Sequence, residues 1–338
     1  MTSAFEHDIN AQAAALRDFD HAPYSPRLPT LLRYQYERII LTGMGSSHYA
    51  ALPSWRRLVA AGQPAWWIDS GQLLDSPQLI TDDSLLVATS QSGASGEIVA
   101  LLDLLEHTNS DCTVLGLTND TASPLATGAD CAVLLHSGPE ATVSTKSYLN
   151  ALAAEDLVAS LLLNCDSHEI AATAQAVEHL GLTPPLAEAA MEFTRTPNRR
   201  LVFVGYHDHA TTALYAGLIT KEAAKVPAEG YVAGEFRHGP LELAGPGLTA
   251  VIFGGHHAAH NAPLVRLAKD LVASGSTLIV IGRANVDGAI DIDVPDGHIG
   301  AQLSHGAVIA QWLAVELARS KGITPGAFEF GSKITTEL

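Results

Sequence analysis

Short, uninterrupted apolar runs rich in Val, Ile and Leu alternate along the chain with longer stretches in which apolar residues recur at helical spacing. In the first half the runs are RIILTG, SLLVATS, CTVLGLT and CAVLL; in the second they are RLVFVG, LTAVIFG, TLIVIGR and IDIDV. The segments GEIVALLDLLEHT and NAPLVRLAKDLVAS between them carry the helical period. A strand that is apolar at every position has both faces covered, which happens when helices flank a parallel sheet. Each half is therefore predicted to be a doubly wound, flavodoxin-like α/β sandwich.

The runs recur in the same order, each separated from its counterpart by about 160 positions, which marks two homologous halves in tandem. Between them, ALAAEDLVASLLLN and HEIAATAQAVEHL read as helix, punctuated by Pro184 and Pro185, and EHDINAQAAALRDF predicts an N-terminal helix. The expected divisions are an N-terminal helix over 1–28, a first domain over 29–160, a helical connector over 161–195, a second domain over 196–320 and a tail over 321–338.

Composition narrows the partners. The chain has 338 residues, 47% of them apolar, and a net charge of −17. Such a charge repels nucleic acid and anionic membranes, since its few Lys and Arg are not clustered, but it leaves room for a small anion held at one local site. Cys112, Cys131 and Cys165 are too far apart for a CxxC-type metal site and too odd in number for a disulfide framework. Glu6, Asp8, Asp18 and Asp20 near the start are unlike a secretory signal, and no apolar run reaches membrane-spanning length, so a cytoplasmic protein is expected.

Ligands of open parallel sheets sit outside the carboxyl ends of the strands. Three loops expected there carry hydroxyls: GMGSSH after the first strand, SQSGAS after the second or third, and PEATVSTKSY before the connector. In SQSGAS, Gly93 and Gly96 allow close backbone approach, the following helix offers unpaired N–H groups, and Ser90, Ser92 and Ser95 add short donors, a combination suited to a phosphate monoester. Helix capping alone needs one such residue per helix. Neither a Walker pattern nor an unbroken GxGxxG is present, which disfavours a nucleotide.

GMGSS, SQSGAS and VSTK together resemble the sugar isomerase (SIS) domain family of phosphosugar-binding proteins. The tandem arrangement and the segment KEAAKVPAEGYVAGEFRHGPLEL are similar to the isomerase half of the glucosamine-6-phosphate synthases, a likeness that covers nearly the entire chain. It implies that Gly45, Ser46, Ser47, Ser90, Gln91, Ser92 and Ser95 hold the phosphate, with Ser144 near the sugar hydroxyls. The chain begins MTSAFEHD, without the Cys that follows the initiator Met in those synthases, so glutamine is not the expected nitrogen source.

Helical spacing sets Glu222 in line with Leu214 and Leu218. Either Lys221 or Lys225 partners it, or it is a base whose pKa is raised by desolvation. The resemblance places Glu222 at the proton-transferring glutamate, His238 at a histidine that opens the sugar ring across a homodimer interface, and Lys333 at a tail lysine that reaches the open-chain carbonyl. Two departures matter: Ile219 stands where those synthases have a second catalytic lysine, and PGAFEFGS replaces their Pro-Arg-Asn-Leu tail segment. His256 and His260, with His207 and His209, lack a carboxylate or thiolate at ligand spacing, so no metal is expected, and no cofactor.

The leading expectation is an isomerase, or a deaminating isomerase, acting on a hexose or amino-hexose 6-phosphate. A fructosamine-6-phosphate deglycase is the enzymatic alternative. A non-catalytic sugar-phosphate-sensing regulator is the other, although no DNA-binding helix-turn-helix segment is present.

Overall fold

The computed structural model describes residues 2–167, 169–181 and 183–336. His168 of the expected connector and Glu337 and Leu338 of the expected tail lie outside the described residues. The chain divides into two compact units. One comprises Ala14–Glu140, Ser144–Ala171 and the tail from Phe330; the other comprises the residues up to Ala13, Ala141–Val143 and Ala172–Glu329.

The first unit holds β1 (Arg38–Gly43), β2 (Ala65–Trp67), β3 (Ser84–Thr89), β4 (Thr113–Thr118) and β5 (Cys131–Leu134), all parallel, in the order β2-β1-β3-β4-β5. The second holds β6 (Arg200–Gly205), β7 (Ala228–Val232), β8 (Leu248–Gly255), β9 (Thr277–Gly282) and β10 (Ile290–Ile292), also parallel, in the order β10-β9-β8-β6-β7. Read from the other edge, that is the first order again, so the repeated runs correspond strand for strand.

Neither β2 nor β7 is among the sequence-predicted strands. AWW spans only three residues, and AEGYV is interrupted by Glu229 and Gly230. Both are edge strands, which need less apolar length than central ones. The N-terminal stretch forms two helices, Ala4–Asn10 and Gln12–His21, where one is predicted; Ala11 ends the first by donating back to the carbonyls of His7 and Asp8.

Apolar runs alternate between two cores. Leu201 and Phe203 of β6 pack with Val251, Ile279 and the helix Ile299–Ser320 on one face, while Val202 and Val204 meet Ile252, Leu264 and Leu267 on the other. Ile40, Leu86 and Val114 meet Ile98, Leu101 and Leu125 in the same way in the first unit. In both sheets the strand order reverses direction between the first and third strands in chain order, and that switch point opens a crevice at their carboxyl ends. In the first sheet Gly43 is registered against Thr89, so GMGSSH and SQSGAS leave the sheet side by side. SQSGAS follows the third strand.

Candidate functional site

Close packing sets the first loop. A Cβ on Gly43 would lie 2.7 Å from the Thr89 carbonyl oxygen and 3.1 Å from the His48 nitrogen, so only glycine lets the short helix Ser46–Ala50 start against the sheet. Gly45 takes φ +54° ahead of it, and Ser46 and Ser47 are half-buried. The His48 ring lies flat on Trp67, with centroids 4.1 Å apart. Burial pushes the His48 pKa down to about 4 against the pull of Asp69.

The serine loop is organised by its own polar atoms. Ser90 is buried; its hydroxyl oxygen accepts the Gly93 N–H at 3.2 Å and lies 3.3 Å from that of Ser95. The Ser92 hydroxyl oxygen accepts from Ala94 at 3.2 Å. The Gln91 carbonyl accepts from Asn119 and from the Thr118 hydroxyl. Gly93 has φ +61°, and a Cβ there would sit 2.1 Å from Ser123 Oγ, so the loop closes on Ser123 and Thr118 only without a side chain.

Ser95 occupies the N-cap position of helix Gly96–Thr108 but makes no side-chain capping bond. Its hydroxyl faces the loop instead. Gly96 differs from its expected role: it is buried, its φ is not left-handed, and its N–H donates to the Thr335 carbonyl of the tail at 3.1 Å.

The third loop turns inward on Glu140, whose side chain has 0% exposure. Its carboxylate accepts from the Thr145 nitrogen and hydroxyl, both at 2.8 Å, and from the Ser147 nitrogen and hydroxyl at 3.1 and 2.7 Å. Lys333 of the tail completes the set at 2.5 Å. Burial pushes the Glu140 carboxyl up, but the adjacent Lys333 ammonium and these donors outweigh it and hold the group below its ordinary value. Ser144, a predicted contact, is half-buried beside this network and already engaged. Glu140 was not among the predicted site residues; the available signal was one carboxylate shortly ahead of four Ser and Thr residues in PEATVSTKSY.

In the second unit, helix His209–Ala224 is buried on most sides. Leu214, Leu218 and Glu222 form its half-exposed stripe, so the two leucines in line with Glu222 lie outside the core. Lys221 Nζ reaches Glu229 at 3.4 Å, and Lys225 Nζ donates to the main-chain carbonyls of Glu222 and Ala327. Ile219 has 0% exposure in the core. His238 is exposed, in a turn where its N–H donates to the Glu235 carbonyl at 2.9 Å and Gly239 follows with φ +131°.

The loops after β6 and β8 carry imidazoles where the first unit has hydroxyls. His209 is pushed down to about 4 by burial, despite Asp208. His257 packs edge-on to His256 and stacks on His260. Among the described residues no three His, Cys, Asp or Glu side chains are grouped to hold a metal ion. None of their helices is long and apolar enough to cross a membrane. The structure thus brings Ser90, Gln91, Ser92, Ser95 and the GMGSSH residues together in the first unit, joins Lys333 to Glu140 there, and carries Glu222 and His238 in the second.

Two tandem α/β sheets with a hydroxyl-lined switch-point loop define a class, and the SIS domain matches this chain over residues 32–161 and 196–286. The chain belongs to the SIS domain family. It is 30% identical over 264 residues to a glutamine–fructose-6-phosphate aminotransferase (isomerizing) of Pyrococcus horikoshii, covering 73% of this chain and 43% of that protein. The chain thus spans less than half the length of that relative. Among solved structures, the C-terminal domain of glucosamine-fructose-6-phosphate aminotransferase from Francisella tularensis superposes with a TM-score of 0.82 at 20% identity, covering 95% of this chain and 97% of that one. Tagatose-6-phosphate ketose/aldose isomerase from Escherichia coli does so with 0.79 at 20%, covering 97% and 96%. At such identity the likeness is one of fold.

Proposed function

We propose that this chain is a phosphosugar isomerase that moves a proton between C1 and C2 of an open-chain hexose or amino-hexose 6-phosphate. The observation that carries the reading is the serine loop. Its Ser90 and Ser92 oxygens accept main-chain N–H bonds and Ser90 pairs with Ser95, which leaves the Ser92 O–H and one O–H of that pair to donate at the mouth of a parallel sheet. Ser46 and Ser47 on the adjoining loop supply further donors, and Gly45 gives close backbone approach. Ser144 contacts sugar hydroxyls.

Glu222 takes the C2 proton of the aldose, leaving an enediol, and returns it to C1 to give the ketose. For an amino-hexose the enolamine tautomerises to an imine, which water hydrolyses to the ketose and ammonia. The half-exposed position of Glu222 suits a group that must reach substrate. His238, exposed on a fixed turn, assists ring opening in the site of a second copy of the chain. Lys333, paired with Glu140, contacts the open-chain carbonyl.

Deuterium incorporation at C2 in heavy water, over a panel of hexose, amino-hexose and fructosamine 6-phosphates, tests the reading and identifies the substrate. Glu222→Gln is expected to lower exchange by about 10²- to 10⁴-fold; full exchange in that variant refutes the assignment. Mixed Glu222→Gln and His238→Ala chains are expected to recover activity that neither has alone. No recovery would place His238 outside the partner's site.

A further inference from the structure

Beneath the serine loop lies a carboxyl group with no part in that reaction. Glu155, within helix Lys146–Leu163, has 0% exposure, and one oxygen accepts the Thr89 hydroxyl at 2.6 Å. The other, Oε2, is buried and has no hydrogen-bond partner among the described residues. Thr89 is itself buried, is the last residue of β3, and is bonded directly to Ser90.

A buried carboxylate with one neutral donor is strongly disfavoured, while a carboxylic acid in the same place is tolerated. Among the described residues the surroundings supply no compensating cation. The helix packs on Ser46–Ala50, Leu52–Ala60 and β4, and β3 and β4 contain no ionisable residue. Of the titratable groups on these elements and on the helix itself, His48 stacks on Trp67, Arg57 engages Asp156 and Ser160, and Lys146 donates to the Pro139 carbonyl. Tyr49, Arg56 and Tyr148 complete the set, and none is among the influences on Glu155. Burial alone raises the Glu155 pKa, to about 7, and only the Thr89 bond opposes it.

We propose that Glu155 is a positioning residue for the serine loop: its carboxyl anchors Thr89, and by gaining or losing a proton it tightens or loosens that loop's grip on an anionic phosphate. This rests on the phosphosugar reading above. Charged, Glu155 repels a phosphate dianion through a dry core, and its search for solvation pulls on Thr89. Ser90 follows, and with it the bonds to Gly93 and Ser95. Linkage requires the converse: binding a phosphate draws a proton onto Glu155.

Isothermal titration of the full chain with fructose 6-phosphate, in buffers of different ionisation enthalpy, tests this against Glu155→Gln, which keeps the shape and an acceptor for Thr89 but cannot ionise. The second ionisation of the phosphate is common to both proteins and cancels in the ratio of their Kd values. That ratio, wild type over variant, is expected to be near unity at about pH 6 and to rise roughly tenfold by about pH 8.5, with extra proton uptake in the wild type near neutrality. A flat ratio with equal proton uptake overturns the proposal while leaving the phosphosugar reading standing; absence of binding by either protein at every pH overturns both. Should Glu155→Gln fold poorly, Thr89→Val is the second variant: removing the donor should move the midpoint of the wild-type pH dependence upward, and an unmoved midpoint refutes the coupling.

Discussion

The oxygens of Ser90 and Ser92 receive main-chain N–H groups and one hydrogen is shared between Ser90 and Ser95, so the Ser92 hydrogen and the second hydrogen of that pair are left over from the loop's own bonds. Each hydrogen bond to a charged group contributes about 1.5–3 kcal/mol. Replacing Ser92 and Ser95 together by Ala is therefore expected to weaken phosphosugar affinity by roughly 100-fold or more. The fold should survive, because Ser95 makes no capping bond. Unchanged affinity in calorimetry would move the phosphate elsewhere. At this scale the cluster of hydroxyls was legible because small polar residues after an apolar run have few structural uses. The two buried carboxyls were not. Glu155 stands next to Asp156 in a helical pattern and looks like part of a solvated face; only tertiary packing shows that the first is buried and the second pairs with Arg57.

Among elements, the central strands could be read from continuous apolar runs, whereas the edge strands β2 and β7 are too short or too interrupted to announce themselves. Leu214, Leu218 and Glu222 show the limit of periodicity: spacing establishes that three residues share a face, but what covers that face is decided by other elements. The tail was legible only through its lysine, and the structure ties it to Glu140. Lys333→Met leaves that carboxylate with its four donors from Thr145 and Ser147, so the loss should be about 2 kcal/mol, below the usual cost of breaking a fully buried pair. The pH signs of the two carboxyls differ. Glu140, held low, contributes stability that is present above its ordinary pKa and lost as acid titrates it through its lower folded value. Glu155, held high, contributes stability that is complete below its ordinary pKa and lost as pH rises to about 7. Urea denaturation across acid pH is expected to place the acid transition of Lys333→Met above that of the wild type; coincident transitions would remove the ion pair from the account.

Across the whole molecule, one strand order is used twice with different chemistry at the carboxyl ends. Hydroxyls and glycines line the loops after β1 and β3, imidazoles those after β6 and β8. The duplication was readable from repeated runs, while the roles proposed for the two copies depended on loop composition and on resemblance. With a net charge of −17, attraction of an anion has to come from a local arrangement and not from the overall field. The stack of His48 on Trp67, one residue after Ser47, gives that arrangement its own optical reporter. An uncharged imidazole lies against the indole. A sugar phosphate seated at Ser46 and Ser47 should tilt the ring and change the emission of Trp67, and Trp67→Phe should silence that signal while Trp312, which belongs to the other unit, goes on fluorescing unaltered. Occupancy could then be followed by light alone, without a coupled enzyme or a labelled sugar.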